Sequence, residues 1–481
     1  MSDSNQSLPY NDSDEKSILL YAGKLNGHTL KEIASFDIES ARTSTHSKGF
    51  FGQALEEFYF YIKNNNIAAP DFINVGMELK STPMKKTKGK GIVSKERLVL
   101  SIIDYMTINQ LEFEGSFKKK NGKLLIVFYQ SNNDVQYYDQ KILKVVHWTY
   151  PPEDLRIIEE DWNTISKMVT EGRSHELSER FTHYLGACTK GMGHERDYRE
   201  QPNSDIPARQ RALSLKSSYV NKIFRESTQE EYTGVFTSEA LIENKVGAFQ
   251  SVFSNRDWTD DNFESFVLKA FDKFIGMKCS DIEKEIGISL NVASKSYRSQ
   301  LTLNMMGIKT KKAKEFVDSD IEMKTIFLKP NNTSQESMSF SYFDYIELTK
   351  QTWETSDFCE VLDKRFFFPV FQRPKKNGDV VFKGAFFWSM PYLDMCEAKI
   401  VWEDTLEKIK MSDIDNLITS KQNRVAHVRP HARNSKDTCM APNGQYYMKK
   451  CFWLNRNYIS DVVKNSGILN KNQQSNLTDL Y

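Results

Sequence analysis

Hydrophobic and polar positions along the chain alternate between two periods. Apolar residues fall at helical spacing near Ile18-Leu19-Leu20, around 29–36, over 51–62 (FGQALEEFYFYI) and over 154–170 around Trp162. In the stretch 51–62 Glu56 lies one turn from Phe60. Short runs rich in β-branched and aromatic residues predict strands at 123–129 (KLLIVFY), 142–148 (ILKVVHW), 365–371 (RFFFPVF) and 384–388 (GAFFW). Phe263, Phe266, Val267, Ala270, Phe271 and Phe274 then return to helical spacing. Helices and strands interleaved in this way predict an α+β fold, a mixed central sheet flanked by helices.

The pattern occurs twice. Trp148-Thr149-Tyr150-Pro151 is answered by Trp388-Ser389-Met390-Pro391, and Trp162 by Trp402, each at an offset of 240. VGMELKST (75–82) and Asp71-Phe72 are answered by SDIEMKTI (319–326) and Glu315-Phe316 at an offset of 244. Leu215-Lys216 pairs with Met448-Lys449 at 233. An ordered series at half the chain length predicts a tandem duplication. The expected organisation is a disordered tail at 1–16, a first domain at 17–225, a linker at 226–261 where neither period is sustained, and a second domain at 262–481.

Composition narrows the function classes. Of the 481 residues, 39% are hydrophobic and 12% aromatic, enough for packed cores and too much for wholesale disorder. No apolar run approaches the ~20 residues of a membrane helix. The polar, acidic start MSDSNQSLPYNDSDEK is the opposite of a secretory signal, and six scattered cysteines make no disulfide framework. A cytoplasmic protein is expected. The 65 basic and 64 acidic residues cancel, yet 80–97 (KSTPMKKTKGKGIVSKER) holds seven Lys/Arg and one acid, Glu96, and Lys118-Lys119-Lys120 with Lys123 follows. Taken alone, such clusters are solvated loop charge.

Their neighbour changes that reading. Pro70-Asp71 is followed, six residues on, by Glu78-Leu79-Lys80. On a strand Glu78 and Lys80 share one face while Leu79 points to the other. Two carboxylates at one point suit Mg²⁺, which keeps several waters and takes phosphate oxygens. A lysine beside them can hold a water and stabilise charge building on a phosphate. An acid two residues before a lysine is common on any solvated strand, so this motif alone decides nothing.

The combination of Gly52-Gln53-Ala54-Leu55-Glu56, Asp71-Phe72, Glu78-Leu79-Lys80 and the basic run resembles the MutH mismatch-repair endonuclease family. Within it, the whole chain resembles the duplicated, MutH-like type II restriction endonucleases that cut at GATC, members of the PD-(D/E)xK superfamily. The likeness continues through 94–105 (SKERLVLSIIDY), Asp161-Trp162, 184–191 (YLGACTKG) and 209–219 (RQRALSLKSSY), then through 426–434 (AHVRPHARN) and 444–452 (GQYYMKKCF). It implies two tandem domains of restriction-endonuclease fold and Mg²⁺-dependent hydrolysis of double-stranded DNA, leaving 5′-phosphate and 3′-hydroxyl ends. Asp71, Glu78 and the Leu79 carbonyl would hold the metal, Lys80 would orient or activate the water, and Glu56 would tune the metal or its waters. A further lysine maps to Lys120, with Lys123 as the alternative.

For sequence readout the resemblance points to Lys190, Ser214 and Lys216 in the first half and to Arg429, His431, Tyr447 and Lys449 in the second. Lysine donors suit the O6 and N7 acceptors of guanine, and GATC offers one guanine per strand. Tyr447 reads equally as a core or interface aromatic. The lysines of 85–97 contact phosphates rather than bases on this reading.

Glu315, Glu322 and Lys324 keep the spacing of the first site in the second copy, but Glu replaces Asp at the first acid, and QLTLNMMG (300–307) offers no counterpart of Glu56. A catalytically silent DNA-binding effector domain is expected. One active site per chain then requires two chains to cut both strands, so a monomer that dimerises on DNA is expected, with no protein partner. The competing readings are a mismatch-repair nickase activated by partners and a GATC-binding regulator without cleavage. HELSE (175–179) lacks the second histidine of a zinc helix, Met192 stands where a P-loop needs lysine, and His427, His431, Cys439 and Cys451 lack a close CxxC pair.

Overall fold

The computed structural model describes residues 8–33, 49–62, 69–87, 91–191, 194–238, 249–254, 256–259 and 261–470. The chain divides into two units, Met1–Val246 and Gly247–Tyr481. In the first, the strands are β1 (Glu78–Thr87), β2 (Gly91–Ser94), β3 (Leu98–Ile102), β4 (Lys123–Gln130), β5 (Ile142–Thr149), β6 (Leu185–Thr189), β7 (Tyr198–Gln201), β8 (Ser204–Arg209), β9 (Arg211–Leu215), β10 (Thr228–Gln229) and β11 (Phe236–Thr237). The main sheet has the order β10-β11-β5-β4-β1-β2, with β1 parallel to β4 and β4 antiparallel to β5. Covered on both faces, β4 buries Leu124, Leu125, Ile126, Val127 and Phe128 completely, which is why its sequence runs apolar without alternation. A smaller sheet, β3-β9-β6, packs beside the amphipathic helix Pro152–Thr170.

The second unit has β12 (Glu322–Met323), β13 (Ile326–Leu328), β14 (Met338–Tyr342), β15 (Phe366–Gln372), β16 (Val381–Trp388), β17 (Ala426–Pro430), β18 (Thr438–Met440), β19 (Tyr446–Met448) and β20 (Lys450–Leu454). β12 and β13 run parallel to β15, and β15 runs antiparallel to β16, repeating the β1, β4, β5 order. Glu78 pairs with Leu124 as Glu322 pairs with Phe366. The helices Pro152–Thr170 and Tyr392–Lys410 are each 19 residues long, and β14-β20-β17 repeats β3-β9-β6.

Side-chain hydrogen bonds repeat as well. Tyr105 and Tyr345 donate to the carbonyls of Arg209 and Met448, Ser94 and Ser334 to those of Glu96 and Glu336, and Tyr219 and Tyr458 to Asp154 and Asp394. These pairs set the offset at 239–240 and correct one sequence pairing. Leu215-Lys216, at the end of β9, corresponds to Leu454-Asn455 at the end of β20, not to Met448-Lys449.

Two expected boundaries also move. Residues 226–261 are not a linker throughout: β10 and β11 complete the first sheet and Val235 is fully buried, while Gln250 bridges Ala313 and Val252 is buried in the second unit. Two-residue strands take their order from the sheet edge they join, so no periodic run announces them. Within the expected tail, residues 1–7 lie outside the described residues. Tyr10 is buried with its hydroxyl on the Phe60 carbonyl, and Asp14 caps the helix Glu15–Gly23. Of the helix expected over 29–36, Leu30–Ile33 is helical and 34–36 lie outside the described residues. No helix among the described residues is long and apolar enough to cross a membrane.

Candidate active site

β1 begins at Glu78, so its first three residues carry the motif. Leu79 turns into the core, and Glu78 and Lys80 share the opposite face, where Lys80 donates to Glu78 Oε1. Asp71 precedes a tight turn at Ile73–Val75 that is closed by the Phe72–Met77 bridge. That turn folds Asp71 back onto the strand: Leu79 N–H donates to Asp71 Oδ2 at 2.9 Å, and Asp71 N–H donates to Glu78 Oε2 at 3.2 Å. The six-residue spacing therefore docks the two carboxylates against each other.

Two wide helical turns deliver the remaining groups. The helix Phe50–Ala54 loosens so that Phe60 N–H reaches back five residues to the Leu55 carbonyl, at 3.0 Å. Glu56 lies in this turn. Lys118 N–H likewise bonds to the Phe113 carbonyl at 2.9 Å, and Lys120 follows directly, its ammonium 3.7 Å from Glu78 Oε1. Wide turns of this kind concentrate at functional sites because they re-aim a side chain without ending the helix. Gly52 permits the close approach of the first to β1, since a Cβ there would lie 3.2 Å from Ser81 Oγ. The expected continuous helix over 51–62 is thus an α-turn followed by a wide turn, a distinction that periodicity over so short a stretch does not make.

Between the two candidate lysines the geometry separates clearly. Lys123 lies at 2.5 Å from Glu15 and also bonds to the Val75 carbonyl, so it ties the first helix to the turn before β1. Lys123→Ala is expected to leave cleavage intact, removing a partly exposed ion pair worth ~0–1 kcal/mol. Lys120→Ala is expected to lower the cleavage rate ~10-fold or more with unchanged melting, because it removes a cation from the carboxylate pair. Single-turnover kinetics and thermal melting of the two variants check this.

Glu78 is 2% exposed. Burial and the neighbouring Asp71 push its carboxyl upward, and Lys80 and Lys120 pull it back. Glu56 is also raised, by burial and by the charges of Asp71 and Glu78, with Lys80 opposing. The site thus concentrates carboxylate charge in a place of low polarity, which a divalent cation relieves. Among the described residues no three His, Cys, Asp or Glu side chains form a metal cage. Two carboxylates beside a main-chain carbonyl instead suit a hard cation that retains waters and takes phosphate oxygens.

The second unit keeps the pair and loses the convergence. Lys324 lies 3.3 Å from Glu322, both partly exposed. Glu315 sits on the short helix Lys314–Asp318 and accepts from Ser251 Oγ at 2.6 Å and Val252 N–H at 2.9 Å. Its carboxylate therefore anchors the start of this unit, whereas Asp71 accepts from the strand itself. The position in register with Lys120 is Leu362.

The residues expected to read DNA divide. Ser214 and Lys216 are buried, and the Lys216 ammonium donates to the carbonyls of Glu179 and Thr182, so both are corrected to structural roles. Their sequence signal was the misplaced register described above. Lys190 lies at the exposed end of β6, its N–H on the Gln210 carbonyl. Arg429 and His431 are exposed at the end of β17. Tyr447 is half-buried on the β18–β19 hairpin against Tyr345, and Lys449 pairs with Asp437 at 2.6 Å. In the basic run, Lys85, Lys86 and Lys95 are exposed, while Lys88 and Lys90 lie outside the described residues. Sequence reasoning missed Trp453, on whose ring the Arg429 guanidinium stacks at 3.7 Å. The partnership crosses between β17 and β20, so no local spacing marks it.

Comparison with known proteins agrees with this duplicated geometry. The family model described as DNA mismatch repair enzyme MutH matches twice, at residues 60–161 and 305–400. The chain is 32% identical to the type II restriction enzyme Sau3AI of Staphylococcus aureus, covering 87% of this chain and 89% of that enzyme. It is 26% identical to the DNA mismatch repair protein MutH of Shewanella woodyi, over 38% of this chain and 78% of that protein. For MutH of Buchnera aphidicola the values are 24% identity, 34% and 75%.

Proposed function

The chain belongs to the family of the type II restriction enzyme Sau3AI, and from that membership we propose a restriction endonuclease that hydrolyses both strands of double-stranded DNA at GATC. It is a site-specific deoxyribonuclease. The observation that supports the chemistry most directly is the first unit's set of Asp71, Glu78, Lys80 and Lys120, gathered on the start of β1. Mg²⁺ is the proposed cation, held by Asp71, Glu78 and the Leu79 carbonyl, and it would supply charge neutralisation at the scissile phosphate. Lys80 orients the attacking water and stabilises the phosphate charge, Lys120 adds a second cation, and Glu56 tunes the carboxylates. Attack on phosphorus breaks the bond to the 3′ oxygen, leaving a 5′-phosphate and a 3′-hydroxyl.

GATC specificity rests on the sequence resemblance, with the half-buried Lys190 as the first unit's readout residue and Arg429, His431, Tyr447 and Lys449 as the second unit's DNA-contacting positions. The second unit, whose Glu315 is committed to Ser251 and Val252, acts as a silent effector domain that binds another DNA duplex. One complete site per chain means that two chains meet on DNA for a double-strand cut. Sedimentation of DNA-bound protein at one chain per cut site would contradict that.

The deciding experiment is digestion of unmethylated plasmid with Mg²⁺, with and without a chelator, followed by sequencing of the ends. Double-strand ends at GATC, lost with the chelator, are expected. Ends elsewhere would remove the specificity, nicks alone would favour the repair-type nickase, and chelator-resistant cleavage would remove the metal.

A further inference from the structure

The two copies differ on the outer face of the small sheet. In the first unit Arg97 and Glu179 form an ion pair over this face, and Glu179 lies against Gly186, where a Cβ would meet it at 3.4 Å. In the second unit the same positions are Ser337 and Ser420. The register is set by Ser94 and Ser334, which make the same hydrogen bond, and by the matching turns before β6 and β17. Underneath, Cys188 becomes Arg429 and Ser214 becomes Trp453. The ion-paired cover is gone, a cation and a large ring have replaced small residues, and a cleft of about 640 Å³ opens.

Three guanidiniums line that cleft. Arg429 stacks on Trp453 at 3.7 Å, Arg424 is held by Asp394, and Arg456 is exposed at the start of the helix Arg456–Asn465. Glu336 and Asp461 stand on its wall as the opposing charges. Stacking holds the guanidinium plane of the exposed Arg429, and a planar guanidinium fork suits phosphate oxygens. The loop after β17 adds His431, Arg433 and Lys436, all exposed. A row of cations rather than a single socket matches a run of phosphodiesters.

We propose that this cleft is the second unit's own DNA-backbone site: Arg424, Arg429 and Arg456 hold phosphates of the effector duplex, and Ser337 and Ser420, standing where the first copy has the Arg97–Glu179 pair, leave it open. The proposal rests on the effector reading above and names the surface that carries it. The copies therefore grip DNA differently, the second relying on backbone contacts that position rather than specify.

The test uses the full chain carrying Lys80→Ala, so that DNA is bound and not cut, and a short unmethylated duplex with one GATC as probe. Stoichiometry comes from sedimentation and affinities from fluorescence anisotropy across a salt series. Two duplexes per chain are expected. Re-installing the first copy's cover with Ser337→Arg and Ser420→Glu should weaken the second binding event ~10-fold or more and leave the first unchanged. Arg456→Ala, at an exposed position, should lower the salt slope of the second event by about one phosphate contact. Unchanged second binding in both variants would overturn the cleft while leaving the effector reading standing. A single duplex per Lys80→Ala chain would overturn the effector reading and the cleft together.

Discussion

Lys80→Ala is expected to reduce DNA cleavage by about 10²–10³-fold or more while specific binding persists, because on the proposed mechanism it removes the cation that stabilises charge on the phosphate. In the structure Lys80 contacts Glu78 and shares its face of β1, so the loss is local to the carboxylate pair. Lys324→Ala, the equivalent change in the second unit, is expected to leave cleavage at the wild-type rate. There the pair is more exposed and Glu315 is turned onto Ser251 and Val252. Single-turnover cleavage of a GATC duplex by both variants, with binding measured in parallel, checks the prediction. Cleavage that survives Lys80→Ala and falls with Lys324→Ala would move the active site to the second unit.

The second large effect is on stability. Asp154, in the first turn of the helix Pro152–Thr170, accepts from Tyr219 Oη at 2.8 Å and from the Lys222 ammonium at 2.5 Å, all three groups buried. Lys222 also lies over the rings of Tyr184 and Tyr219. Asp154→Ala takes away a carboxylate that pairs with a buried ammonium and should destabilise the first unit by about 3–5 kcal/mol. Adding Lys222→Met should restore much of that loss, since removing both charges also removes the desolvation cost. In the second unit Asp394 keeps its tyrosine, Tyr458, but takes its cation from the exposed Arg424. Asp394→Ala is therefore expected to cost less than Asp154→Ala. Urea unfolding of the three variants measures the order; equal losses for the two aspartates would refute it.

Much of this molecule was legible in the chain. The strands at 123–129 and 142–148 and the helix around Trp162 were visible because buried elements need apolar residues at fixed periods, and the observed elements agree within a few residues. The duplication was visible for the same reason, since both copies place equivalent tryptophans before and within a 19-residue helix, Trp148, Trp162 and Trp402 buried and Trp388 partly so. The proposed site was partly legible: Glu78 and Lys80 are two residues apart on one strand, so local geometry alone places them together. Lys120 and Lys123 could not be separated, because only the turn ending at Lys118 decides which ammonium returns to Glu78.

Where the reading failed, long-range pairing was responsible. Ser214 and Lys216 were aligned with Tyr447 and Lys449 by local similarity, but the β6–β9 and β17–β20 registers make Trp453 and Asn455 their counterparts. Glu315 kept its place in the motif, yet the segment at 251–252, beyond the reach of any spacing rule, claimed its carboxylate. The amino-acid sequence by itself determined the family, the α+β class, the repeat and the residue types able to cut DNA, since these follow from periodicity and side-chain chemistry. Tertiary structure alone decided which carboxylates converge, which lysine joins them and which face of the second copy lies open. Those outcomes depend on contacts between segments far apart in the chain, whose geometry is settled only when the sheets pair.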